Sequence, residues 1–203
     1  MAKSTVFARI QSALGRDTVT SDVQHPLQSH IRIQRQAPDQ VIDDFLAQAQ
    51  NVQMSVELTS EAEINRAVNA YWQAHQLEGA LLVADHISTD GLEMPVATGQ
   101  TDGAHIAVVT RAMAAIAETA TLVVNSQLHP VPFNFLPDHH LVILARSQVI
   151  PALNDLWPRL RAEALSASAV NLITGPSRTG DIEQTIEIGA HGPRAVHVLL
   201  IDN

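Results

Sequence analysis

Apolar positions along the chain fall into short blocks whose period alternates between that of a helix and that of a strand. Val6, Phe7, Ile10 and Leu14 recur at helical spacing, with Gly15 as a stop. Residues 16–36 lose the period; rich in Gln and Ser and holding Pro26, they read as a linker. Val41, Ile42, Phe45, Leu46 and Ala49 mark a second helix, with Pro38 suited to its first turn. Val52, Met54, Val56 and Leu58 then alternate as in a strand. Ser60 and Glu63 have the spacing of a capping box ahead of Ile64, Ala67, Val68, Tyr71 and Trp72, and a strand follows at 79–84.

Further along, the apolar runs at 106–109, 121–125, 141–145, 170–174 and 195–201 predict strands. Thr110 is placed to cap a short alanine-rich helix through Ala117. Residues 126–139, with Pro130, Pro132 and Pro137, predict a loop. Helices are expected over 147–165, with Pro151 near the start and a kink or break at Pro158, and over 181–188. Short apolar strands between helices imply an α/β fold with a largely parallel sheet covered on both faces. Little helix joins the strands between 106 and 145, so the sheet is expected to be mixed. The organisation read from these blocks is an N-terminal helix and linker over 1–36 and an α/β domain over 37–203.

Composition narrows the function. The chain has 203 residues and no cysteine. That removes a disulfide scaffold, a Cys-ligated zinc, a cysteine nucleophile and a Cys-held iron–sulfur cluster on this chain. A net charge of −9 opposes binding to nucleic acid or anionic lipid, and 3% aromatic content leaves few base-stacking platforms. No apolar run approaches the roughly 20 residues of a membrane span, and the first residues lack the continuous apolar core of a secretory signal. A cytoplasmic location is expected. His139 and His140 are adjacent and would point to opposite faces of a strand, and no H-E-x-x-H occurs, so no metal site is expected.

Three places can carry chemistry. After the strand at 170–174 comes Gly175-Pro176-Ser177-Arg178-Thr179-Gly180-Asp181. If a helix starts there, its N-terminal N–H groups, the Ser177 and Thr179 hydroxyls and the Arg178 guanidinium suit a carboxylate or phosphate. The same residues also suit a tight turn capped by Asp181 or Thr179. His191 and Arg194 flank the turn Gly192-Pro193, either facing that ligand or bonding locally. Glu118, between a predicted helix and a strand, is either an acid–base or nucleophilic carboxylate or a partner for backbone N–H groups. No nucleophile–base pair is readable at any sequence spacing.

The run from Gly175 to Asp202, GPSRTGDIEQTIEIGAHGPRAVHVLLID, resembles the C-terminal signature of the LUD-domain family, and within it the lactate utilization protein C group. The likeness extends through 110–122 and 136–145, and FARIQSALGR is similar to the family's opening. The resemblance implies a three-layer α/β/α sandwich with a mixed, mostly parallel sheet, similar to the sugar-phosphate isomerase and CoA-transferase-like fold. It also implies a role in oxidising lactate to pyruvate, with no cofactor on this chain and iron–sulfur clusters on partner lactate utilization proteins. Carried over residue by residue, Ser177, Arg178 and Thr179 become the binders of a small anionic metabolite, with Glu118 as the catalytic candidate. Two departures stand out: Ala120 replaces a Gly in the segment Glu118-Thr119-Ala120-Thr121, and Phe133-Asn134-Phe135 stands where an Arg is expected. Alternatives left open are a non-catalytic assembly subunit and, by fold analogy alone, an enzyme acting on a CoA ester, folate or phosphosugar.

Overall fold

The computed structural model describes residues 9, 12, 13, 37–99, 101, 105–162, 167–180, 186–188 and 192–202. The chain divides into two units, Met1–Gln34 and Arg35–Asn203. In the first unit Arg9, Ser12 and Ala13 are helical; the rest of the helix and linker expected over 1–36 lies outside the described residues.

The second unit opens with helix α1, Pro38–Asn51, which begins on its proline and turns Val41, Ile42, Phe45 and Ala49 inward. Strand β1, Ser55–Ser60, follows. A 3₁₀ turn over Glu61–Glu63 leads into α2, Ile64–Ala74. The reciprocal capping box expected of Ser60 and Glu63 is not formed. Ser60 Oγ donates instead to Glu63 Oε2 at 3.4 Å, and the α-helix starts only at Ile64. The remaining elements are β2 (Leu81–Val83), β3 (Val96–Ala97), β4 (Ala107–Arg111), β5 (Ala114–Ile116), β6 (Thr121–Asn125), β7 (His139–Ala145) and β8 (Val149–Ile150). Helix α3 (Leu153–Ala162), β9 (Val170–Ile173), β10 (Arg178–Gly180), β11 (Ile186–Ile188) and β12 (Ala195–Asp202) complete the unit.

Six strands form one sheet in the order β1-β12-β7-β4-β2-β3, every neighbouring pair parallel. The antiparallel pairings collect in a separate four-stranded sheet, β8-β5-β6-β9, and β10 pairs antiparallel with β11. Strands covered on both faces read as near-continuous apolar runs, and the centres of β7 and β12 are such runs. On one face, Leu141, Ile143, Leu199 and Ile201 pack against Ile64, Val68 and Tyr71 of α2. On the other, Val142, Leu144, Val198 and Leu200 pack against Phe45 of α1 and Leu122 and Val124 of the small sheet. Leu156 of α3 covers the small sheet's far side against Ile116 and Val123. The fold is α/β, a mostly parallel sheet flanked by helices.

Three expectations are corrected. Thr110 caps no helix: it is buried inside β4, and the alanine-rich run after it becomes β5. Ala114, Ala115 and Ile116 are buried on both sides, and this packing overrides their helix propensity. Within 147–165 the described helix spans Leu153–Ala162, while Val149 and Ile150 pair with β5. The helix runs through Pro158 without stopping, although that residue can donate no bond to the turn before it. Of the helix expected over 181–188, Ile186–Ile188 is instead strand β11, and residues 181–185 lie outside the described residues.

Candidate functional site

Where β9 ends, the chain turns against the entry to β12 and leaves a cavity of about 220 Å³. Gly175 adopts a φ of +73°, and a Cβ there would overlap the carbonyl oxygen of Val52 and come within 3.2 Å of its Cβ. Only glycine lets the loop lie so close to the end of α1. The Ser177 N–H donates to the Pro193 carbonyl at 2.8 Å, tying the two walls together.

The polar lining is Thr174, Ser177 and Asn134; Phe135, Leu172, Ile173 and Pro193 give it an apolar side. Thr174 Oγ1 lies 2.7 Å from Thr121 Oγ1, which lies 2.7 Å from Thr119 Oγ1. This file of hydroxyls can pass a proton or a reoriented O–H to the cavity wall. Asn134 is buried at the end of a 3₁₀ turn, Val131–Asn134, and its Oδ1 accepts from His129 Nε2 at 2.7 Å. Burial lowers the His129 pKa against the opposing pull of that bond, so the ring is neutral and carries its proton on Nε2. With Oδ1 taken, the Asn134 amide nitrogen is the group left to donate.

Of the predicted residues, Gly175 and Ser177 line the cavity. Arg178, Thr179 and Gly180 form β10, with the Arg178 side chain exposed. Asp181 and His191 lie outside the described residues. Among the described residues no helix N-terminus faces this cavity: Arg178–Gly180 pair with Ile186–Ile188 as strands. The cavity's donors are hydroxyls and an amide instead. Arg194 bonds locally: its backbone N–H donates to the Asp138 carbonyl at 2.7 Å and its Nε sits 3.6 Å from Asp138 Oδ1. Glu118 does not line the cavity. Its Oε1 accepts the Leu153 N–H at 2.8 Å, the role of an acidic cap on α3. Ala120, where the resemblance expects Gly, holds φ 48° and ψ 43°, so the backbone keeps the left-handed turn at a cost of about 1–2 kcal/mol.

Asn134, Thr174 and His129 had no motif to reveal them. The one hint was Phe133-Asn134-Phe135 in place of an arginine, which puts a neutral donor where a charged one was expected. Two larger cavities, of about 430 and 290 Å³, are lined by Arg146 and by Arg111. Arg146 pairs with Asp202 at 3.2 Å and Asp39 at 3.7 Å, and Arg111 pairs with both carboxylate oxygens of Glu61, so these guanidinium groups already have counter-charges.

The LUD domain matches residues 103–201. This match and the relatives below support membership of the LUD-domain family. The chain is 26% identical to Lactate utilization protein C of Anoxybacillus flavithermus, covering 96% of this chain and 97% of that one. To Lactate utilization protein C of Halalkalibacterium halodurans it is 22% identical, with 98% of each covered. The crystal structure of a DUF162 family protein from Deinococcus radiodurans superposes with a TM-score of 0.64 at 18% identity, covering 82% of this chain and 99% of that one, a likeness of fold. The 220 Å³ cavity is built wholly within the LUD domain, whereas α1 and α2, which line the two larger ones, precede it. Among the described residues no three His, Asp or Glu side chains gather as a metal site, and no helix is long and apolar enough to cross a membrane.

Proposed function

We propose that this chain serves lactate utilization as the cofactor-free member of a system that oxidises lactate to pyruvate, and that the cavity at Thr174, Ser177 and Asn134 receives a small carboxylate. The observation that carries the reading is the donor set: two hydroxyls and an oriented amide around a space smaller than the roughly 300 Å³ at which drug-sized pockets begin. Arg178, next in sequence to Ser177, supplies the positive charge by swinging its exposed guanidinium over the mouth. Conversion of lactate to pyruvate releases two electrons and two protons. With no cysteine in this chain, a cysteine-held cluster that takes those electrons belongs to a partner protein. The full-length relatives named for lactate utilization support the assignment to that process.

Calorimetric titration with lactate, pyruvate and inorganic phosphate tests it, using wild type, Ser177→Ala and Arg178→Ala. The expected result is saturable binding of lactate or pyruvate, weakened about tenfold or more by either substitution, the loss of one charged or neutral hydrogen bond. Identical titrations for the three proteins, or no binding of any of the three ligands, would reject the site. A second reading, assembly without chemistry, is favoured by exposed apolar side chains: Phe135 and Leu172, which line the cavity, and Leu136 and Val170 are 40–50% exposed, and apolar surface of this kind suits a partner. Capture of an iron–sulfur partner that Leu172→Asp abolishes, with no carboxylate binding, selects this reading.

A further inference from the structure

The register of the parallel sheet creates a second constellation outside this cavity. β1 is the outer strand, and its Ser55 stands opposite His197 of β12. Glu57, two residues on, shares a face with Ser55. Ser55 Oγ is 2.8 Å from His197 Nδ1. On the other side of the ring, Nε2 is 3.5 Å from Glu57 Oε2. The Tyr71 ring lies against the imidazole with centroids 4.6 Å apart and fixes its plane. His197 is buried, while Ser55 and Glu57 reach solvent.

This is the order nucleophile, base, carboxylate that defines an activated serine by geometry rather than by sequence position. A carboxylate beside Nε2 favours the tautomer protonated there, which leaves the Nδ1 lone pair to accept the serine proton. The 3.5 Å separation is long for a hydrogen bond, and catalytic bonds of this kind are often long before substrate arrives. Its remaining neighbours do not compete for Nδ1: the Tyr71 hydroxyl bonds His139 Nδ1 at 3.0 Å, and His75 stacks on Tyr71.

We propose that Ser55 is a nucleophilic serine, with His197 as its general base and Glu57 as the residue that positions the base, and that it accepts the acyl group of a small carboxylic ester arriving at the outer edge of β1. The Ser55 oxygen forms the new bond to the acyl carbon, and its proton passes to His197 Nδ1. The carbon–oxygen bond to the alcohol then breaks, and the same proton leaves on the alcohol. Water repeats the sequence in reverse, releasing the carboxylic acid and restoring the serine. The site is independent of the lactate reading and shares no residue with that cavity.

The groups facing His197 are Glu57 on β1, Tyr71 on α2, His75 just after it, and His139 on β7 behind Tyr71. Burial is the largest influence and holds the imidazole below its ordinary 6.5, with Glu57 opposing and His75 adding to the fall. The base is therefore unprotonated at neutral pH, and acylation should be level above pH 6.5 and decline only below it.

The test is incubation of the full chain with p-nitrophenyl acetate, following p-nitrophenolate release and locating the acetyl group by peptide mass spectrometry. The expected result is one acetyl group per chain on Ser55, absent in Ser55→Ala. His197→Gln should slow its formation about 100-fold or more, the low end of what a general base contributes. Glu57→Gln should slow it less and move the pH midpoint downward. Ser55 is exposed, so its truncation leaves the fold intact, and the wild-type adduct decides the matter even if His197→Gln fails to fold. No acetyl group on Ser55, or equal labelling of Ser55 in folded His197→Gln, overturns the proposal.

Discussion

Replacing Gly175 by alanine tests whether the end of α1 holds the site loop in place. At φ +73° an L-residue costs about 1–2 kcal/mol. The new methyl group would also overlap the Val52 carbonyl oxygen. That oxygen is backbone at the C-terminal cap of α1, so no side-chain rotation relieves the overlap. Overpacking of this kind adds about 1–3 kcal/mol. The sum is roughly 2–5 kcal/mol, and in a chain of this length each kcal/mol lowers Tm by about 2–4 °C. Gly175→Ala should therefore melt roughly 4–20 °C below wild type. Gly91→Ala is the matched control: its φ is +80° and nothing lies within 4 Å of the added methyl. It should show the backbone strain alone, a fall of roughly 2–8 °C. Thermal unfolding followed by circular dichroism, with urea titration for the free energies, measures both. Equal falls in the two variants would refute the claim that α1 props the loop.

Acid should destabilise the protein through its buried histidines. Burial holds His140 down at about 3, with His129 adding to the fall, and lowers the pKa values of His129, His139 and His197 as well. The folded ring of His140 stays neutral while the unfolded one takes up a proton near pH 6.5, so the stability present above pH 6.5 is lost as pH falls toward 3. At pH 5 His140 alone accounts for about 2 kcal/mol. Urea midpoints at pH 7.5 and 5.0 check this, and coincident midpoints would contradict it. Glu118→Gln should cost about 0.5–1 kcal/mol by thermal unfolding, the loss of a charged cap on α3, and leave carboxylate titrations unchanged. A titration lost in that variant would return Glu118 to the site.

Much of the sheet was legible because buried parallel strands leave a local mark. The runs at 141–145 and 198–201 are apolar on consecutive positions, and the stretches that hold them became neighbouring strands β7 and β12. Helices α1 and α2 were legible from their one-sided apolar periods. The pairing of β10 with β11 was not, because Ile182, Ile186 and Ile188 satisfy a helical period and a strand period together, and pairing with 178–180 decides for Ile186–Ile188. The strand β5 was hidden by alanine, whose helix preference yields when both of its sides are packed.

The amino-acid order alone determined the alternation of elements, the absence of thiolate ligands, the glycine turn at 175 and the kinship. These are properties of short windows or of composition, and they survive without knowledge of what lies opposite. Which side chains meet was decided only by tertiary structure. Ser55 and His197 are 142 residues apart, and one step of strand register would turn one of them to the other face of the sheet. Asn134 reaches the cavity wall because a buried histidine holds its amide, and Arg178 lies in a strand rather than the expected loop because a partner strand formed across from it. Periodicity records how much of each residue is buried; packing between distant segments chooses its neighbours.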